Sequence, residues 1–178
     1  VSGSEKSNGN VLKAKRTISQ LGGASAIARQ LNTIGVKVDL YTNFNKEKLN
    51  HKFKFFKVSK KPIIHRTQYI NEKSGKSIIS IHRDENISIQ KNCDNILKKL
   101  NSKKYDLIII SDYGYNVVPE WIIKKLKKNI FIAASVQTNT FNKGFNLIEK
   151  YKDADMIYMN KTEAKIQTKL KNMHSTDK

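Results

Sequence analysis

Near the end of the chain, DMIYMNKTEAK (155–165) reads as a buried strand running directly into a helix, with Asn160 and Glu163 at the junction. An amide and a carboxylate placed there could organise a metal ion and a phosphate, because Mg2+ takes oxygen ligands and keeps much of its water. The same Asn160 could instead cap the helix, its side-chain oxygen accepting a backbone N–H. Two more polar clusters follow apolar runs: SDYGYN after the run at 105–110, and SVQTN after the run at 130–134. Open α/β sheets bind ligands outside the carboxyl ends of their strands, so three clusters in register say more than any one.

A fourth candidate is LGGASAIA (21–28). Two adjacent glycines entering a helix allow a ligand to approach the backbone and leave free N–H groups at the positive end of the dipole. The stretch has neither the G-x-G-x-x-G spacing nor the lysine of a Walker loop, and its small residues would equally serve tight packing. His51, His65, His82 and His174 do not have the spacing of a metal site. Cys93 is the single cysteine, which excludes a disulfide framework or a cysteine-rich zinc site and leaves simple packing.

These clusters need elements to position them. GGASAIARQLNTIG gives a small-residue helix closed by Gly35, a good helix stop. VKVDLYT alternates and is β-branched, so it predicts a strand, and KFKFFKV predicts another. A short strand is expected over 11–16. IIHRTQYI and KSIISIHR flank NEKSG as a hairpin would. The apolar spacing of Ile89, Cys93, Ile96, Leu97 and Leu100 predicts a helix over 88–101. YDLIIISD is an unbroken apolar run of the kind found in a central parallel strand. Pro119 suits the first turn of a helix carrying Trp121, Ile122, Ile123 and Leu126. NIFIAAS then reads as a strand, NKGFNLIEKY as helix, DMIYM as strand and KTEAKIQTKL as helix. That alternation predicts an α/β domain with a mostly parallel sheet covered by helices.

At 178 residues, 38% of them hydrophobic, the chain suits one folded domain. Its net charge of +19 invites a nucleic-acid reading. Arginine occurs only at positions 16, 29, 66 and 83, however, and the lysines are spread along the chain, so a solvated lysine surface is the preferred account. No apolar run reaches membrane-spanning length, the polar start VSGSEKSNGN is unlike a secretory signal, and a reducing cytoplasm is the default expectation.

In order along the chain, the Gly-Gly-Ala helix entry, the RTQYI…SIISIHRDEN hairpin, IIISDYG and MNKTEA resemble the ribokinase-like (PfkB-type) carbohydrate kinases. The nearest branch is that of the heptose-phosphate kinases, including those fused to nucleotidyltransferases. QTNTFNKGFNLIEKYKDADMIYMNKTEA is similar to a branch with Q-T/A-N and G-F-N in place of D-P-K-G. The resemblance spans roughly residues 11–170, with flexible tails expected over 1–10 and 171–178, and it covers about the first half of such a kinase. It implies a three-layer α/β/α fold with a mostly parallel central sheet and a small β lid at about 63–82 that serves as a homodimer contact in relatives.

The resemblance further implies ATP and Mg2+ as cofactors and a sugar or sugar phosphate as the phosphoryl acceptor. Asn160 and Glu163 match the family's N-x-x-E, which serves the nucleotide phosphates and Mg2+, the latter through water at Glu163. Gly22 and Gly23 would lie against the sugar, with Asp112 and Gly114 lining the mouth between sugar and nucleotide. Gln137 and Asn139 stand where the family usually carries aspartate and lysine. The family's base is the aspartate of a G-A-G-D segment that these residues do not contain, so this chain alone is expected to lack turnover. Departures at Ala26, Tyr115 and SVQTN keep a second reading open, a non-catalytic carbohydrate- or nucleotide-binding module.

Overall fold

A computed structural model describes residues 2–4, 7–11, 13–20, 22–42, 53–58, 64–84, 90–114, 118–119, 121–126, 129–137 and 147–176. Strands β1 (Ser2–Ser4) and β2 (Ser7–Val11) pair antiparallel. This differs from the polar tail expected over 1–10. The strand expected over 11–16 is also displaced: pairing ends at Val11, and residues 13–20 are exposed and irregular. That stretch, KAKRTISQ, has one large apolar side chain, Ile18, and so offers no apolar face to bury.

Helix α1 (Gly23–Thr33) follows Gly22, whose backbone is extended. Its buried residues, Ser25 and Ala28, are three apart and so share one face. Gly35 ends it as expected. Its φ of +89° is left-handed, and the bonds from Gly35 N–H to Asn32 O (3.1 Å) and from Val36 N–H to Leu31 O (3.0 Å) form a Schellman motif. Strand β3 (Asp39–Thr42) then pairs in parallel with β4 (Lys54–Lys57), and the Tyr41 ring stacks on Phe56 at 4.6 Å.

Strands β5 (Ile64–Ile70) and β6 (Ser77–Asp84) form the expected hairpin. Its turn is built by Asn71, whose Oδ1 accepts the N–H groups of Lys73 and Ser74, and by Gly75 at a φ of +65°. Helix α2 (Gln90–Ser102) leads to β7 (Leu107–Asp112). The helix expected after Pro119 is one turn only, α3 (Ile122–Lys125), because Leu126 turns to extended backbone. Strand β8 (Phe131–Val136) follows, then a 3-10 turn (Ile148–Tyr151), β9 (Met156–Tyr158) and α4 (Lys161–Thr176). Residues 142–146 of the helix expected over NKGFNLIEKY lie outside the described residues. The tail expected from 171 is helical as far as Thr176.

Strands β7, β8 and β9 form one parallel sheet in that order. The protein is thus mixed α/β, built on small sheets of which the three-stranded one is wholly parallel, and no sheet among the described residues closes into a barrel. Ile110, Ile132, Ala134 and Val136 pack with Leu100, Ile123, Leu126 and Tyr151 as the core. The alternate face is different: Leu107, Ile109, Phe131, Met156 and Tyr158 are 40–53% exposed, Tyr158 being the most open. An apolar run such as YDLIIISD predicts burial on both faces, and the described helices α2 and α3 cover the face that carries Ile110. No helix among the described residues is long and apolar enough to cross a membrane.

The small β3–β4 sheet is tied to the larger one by side chains. Asp39 at the start of β3 accepts hydrogen bonds from Lys103 Nζ (2.5 Å) and the Tyr105 hydroxyl (2.7 Å), and the Tyr105 and Tyr41 hydroxyls are 3.1 Å apart. Burial pushes the Asp39 carboxyl up, but the bonds from Lys103 and Tyr105 and the lysine charges outweigh it, so Asp39 titrates below its usual range.

Two outcomes follow from this packing. Ile110→Ala should cost about 2–4 kcal/mol in urea unfolding, whereas Ile109→Ala, one residue back and 40% exposed, should cost less than about 1 kcal/mol. Equal losses would refute the one-sided burial of the sheet. For Asp39, the lowered pKa means its contribution is complete above the unfolded value and is lost as pH falls through the folded one. Asp39→Asn should therefore lower stability at neutral pH and flatten its acid limb below about pH 4, as read by urea unfolding across that range.

Candidate functional site

Parallel pairing puts the carboxyl ends of β7, β8 and β9 on one rim. Asp112 is in register with Val136 and Ser135 with Tyr158, and the Gln137 N–H donates to Asp112 O at 2.9 Å. The start of α1 reaches the same rim through Gly23, where an added Cβ would overlap the phenol of Tyr113. Gly23 is needed there because the ring lies against the helix entry. Gly22, Gly23, Asp112, Gly114 and Gln137 therefore gather at one end of the sheet, with Asn160 and Glu163 beyond β9. Asn139 and Tyr115 lie outside the described residues.

Asn160 and Glu163 form a reciprocal cap on α4. The Glu163 N–H donates to Asn160 Oδ1 (2.9 Å), and the Asn160 N–H donates to Glu163 Oε2 (2.8 Å). This is the capping-box arrangement with asparagine in the place of serine or threonine. Glu163 is 6% exposed, while Asn160 is exposed. The carboxylate adds negative charge at the positive end of the helix.

Asp112 was expected at the mouth, and its backbone is there, but its carboxylate turns inward. With its side chain 0% exposed, Asp112 accepts the Gly114 N–H on Oδ1 (2.8 Å), and Lys150 Nζ (2.7 Å) and the Tyr151 hydroxyl (2.5 Å) on Oδ2. Burial first, then the charge and hydrogen bond of Asp112, push the Tyr151 hydroxyl far above the usual range, so it stays a proton donor. Burial also pushes the Tyr113 hydroxyl up. Lys150, Tyr151 and Tyr113 were not singled out in the sequence. Lys150 and Tyr151 lie 38 and 39 positions from Asp112, and no local pattern announces that pairing.

A cavity of about 1340 Å3 opens beside this rim, lined by Gly22, Gly23, Tyr113 and Gln137 and walled by α1, β3 and β7. Arg66 and His82 of the β5–β6 hairpin also line it. Among the described residues no three His, Cys, Asp or Glu side chains group to hold a metal. A lone carboxylate already bonded in a cap suits Mg2+ that arrives on a phosphate and keeps its water, rather than an ion held by the protein. No family model, curated protein or solved structure matches the chain.

Asn160→Ala should remove one half of the cap and cost about 1 kcal/mol in urea unfolding. A loss indistinguishable from zero would show that the α4 terminus is held elsewhere.

Proposed function

We propose that this rim is the substrate and nucleotide side of an ATP-dependent carbohydrate kinase, transferring a phosphoryl group to a hydroxyl of a sugar or sugar phosphate. The observation that carries the reading is the convergence of the Gly22–Gly23 helix entry with the ends of β7 and β8 at one cavity, with β9 next to β8 in the same parallel sheet. The parallel three-stranded sheet and the separate hairpin are consistent with a ribokinase-like three-layer scaffold and its lid.

In this reading the sugar lies against Gly22 and Gly23, Gln137 and Asn139 supply neutral hydrogen bonds, and Gly114 is held at the mouth by the Asp112 carboxylate. Asn160 and Glu163 stand nearest the nucleotide phosphates, and Mg2+ supplies charge neutralisation when bound. Phosphoryl transfer needs positioning, charge neutralisation and a base for the acceptor hydroxyl. These residues contain no glycine-flanked aspartate of the G-A-G-D kind, and Asp155 is engaged with the Ile132 N–H at 2.7 Å. They are accordingly assigned binding and positioning rather than proton abstraction. A homodimer through the hairpin is favoured by the exposed Tyr69, Ile79 and Ile81 on one of its faces. A cytoplasmic setting and a small-molecule rather than nucleic-acid partner complete the proposal.

A non-catalytic binding module is the second reading, favoured by the inward turn of the Asp112 carboxylate. One substitution separates the two. Glu163→Gln keeps an oxygen for the cap, because glutamine serves at that position, but removes the charge. It should leave the unfolding midpoint nearly unchanged while weakening Mg2+·ATP binding about tenfold by calorimetry, equivalent to about 1.4 kcal/mol. Nucleotide binding that ignores Glu163→Gln, or no nucleotide binding at all, would favour the module.

A further inference from the structure

The large cavity is bounded on two sides by strand edges. Every residue from Val38 to Thr42 lines it on one side, and every residue from Leu107 to Ser111 on the other. A strand presents alternate residues from its face, so an unbroken run marks a strand met along its edge. β3 pairs with β4 alone, and β7 is the outer strand of the β7–β8–β9 sheet, so among the described residues each has an edge without a partner strand.

The backbone groups point the same way. Val38 O and Thr42 O accept from the N–H groups of Lys54 and Val58, on the β4 side. The alternate residues Asp39 and Tyr41 therefore turn their N–H and C=O groups toward the cavity. Asp112 O accepts from Gln137 on the β8 side, so Leu107, Ile109 and Ser111 turn theirs to the cavity as well. The two edges also run in one direction. Gly23 starts α1 against Tyr113, just past the carboxyl end of β7, and α1 leads through Gly35 into β3. Asp39, the first residue of β3, is bonded by Tyr105 just before β7 begins. The amino ends are adjacent, both strands head for the rim, and one strand between them would find the same hydrogen-bond pattern on either side.

An edge that faces water is blunted by a lysine, a proline or a bulge. Leu107–Ser111 carries none of these, and its register with β8 is unbroken. Charge does line the cavity, but Lys37, Asp39, Lys54, Lys103, Lys104 and Asp106 stand at or before the starts of β3, β4 and β7, and Arg66 and His82 belong to the hairpin. Along the strands themselves the lining includes Ile27 and Leu31 of α1 and Ile96 and Leu100 of α2. A strand buried among such groups reads as a continuous apolar run.

We infer that the cavity is a slot for one β-strand: a partner polypeptide inserts an extended, apolar, uncharged segment between β3 and β7 and joins their two sheets into one. Every described strand of this chain already has a partner, in this copy and equally in a second one, so the described residues of neither supply it. The inference does not depend on the kinase reading, because Gly22, Gly23 and Gln137 stay at the mouth.

The test titrates the full chain with a fluorescein-labelled peptide whose core VIVIV lies between pairs of glutamates. Two further forms are N-methylated, one at core positions 1, 3 and 5 and the other at 2 and 4. A strand inserted between two edges bonds on both, so either set of methyl groups should weaken binding at least tenfold. Hydrogen exchange at the amides of Tyr41, Leu107, Ile109 and Ser111 should slow when the unmethylated peptide binds. Ile109→Pro removes one N–H that faces the slot, at an edge where proline is tolerated, and should weaken binding at least tenfold. Circular dichroism establishes that this variant is folded; should it not fold, the methylated peptides on the wild type carry the comparison.

Binding that tolerates one methylated form, with protection at β4 or β9, would mean addition to an outer edge and overturn the slot. Amides already protected before peptide is added would assign the slot to a second copy if light scattering finds a dimer, or to the chain itself if it finds a monomer, and either result overturns the partner. Equal binding by a TNTNT core would reduce the contact to glutamate against lysine. That outcome, or no binding at all, would overturn the inference as well.

Discussion

The carboxylate of Asp112 is the one charge that the rest of this site depends on. It is wholly buried at the end of β7 and receives hydrogen bonds from a backbone amide, a lysine and a tyrosine. Removing a carboxylate from water costs several kcal/mol, and only good geometry and full hydrogen bonding offset that cost. The donors come from two places. Gly114 fixes the turn that leaves the strand, and Lys150 and Tyr151 belong to the 3-10 turn that precedes β9. One ion therefore ties the exit of the first strand to the entry of the third. The rim is level because that tie and the backbone bond from Gln137 to Asp112 act on the same residue.

Elements with strong local signals were legible in the sequence. The helix closed by Gly35, the hairpin around NEKSG and the strands at LIIISD, FIAASV and MIY follow from periodicity, a left-handed glycine and turn chemistry. The N-terminal hairpin was not, because its Ser, Gly and Asn residues have little strand propensity and pair through backbone alone. The long helix expected after Pro119 failed for a different reason. Trp121, Ile122, Ile123 and Leu126 have helical spacing, but the chain must turn back at Leu126 to enter β8, so tertiary path prevailed over local pattern.

The site divides along the same line. Asp112 was found because a strand end can be located from an apolar run, and Gly23 and Glu163 because each stands in a short pattern at a helix start. What those side chains touch was not, since Lys150 and Arg66 meet the site through contacts remote in sequence. Asn160 and Glu163 show how one short pattern can serve two purposes. A reciprocal cap fixes the α4 terminus, and a fixed terminus holds the only carboxylate of the NKTE cluster in one orientation. Capping and ligand recognition therefore need not compete. The cap reduces the freedom that a side chain would otherwise lose on binding.

The same pairing bears on how charge is distributed in a strongly basic chain. Of 15 acidic residues against 34 Lys and Arg, three at the rim or the cavity wall are taken up internally: Asp39 by Lys103 and Tyr105, Asp112 by Lys150 and Tyr151, Glu163 by its own helix. Asp106 also lines the cavity. Diffuse lysine charge raises the local concentration of any anion and does not discriminate among them. Discrimination requires a cation of fixed position and shape. Lys103 is paired with Asp39 and Arg66 is braced by the Ser80 hydroxyl, while Lys37, Lys54 and Lys104 line the same cavity. Five lysine and arginine side chains against Asp39 and Asp106 give the cavity wall an excess of positive charge before any ligand arrives.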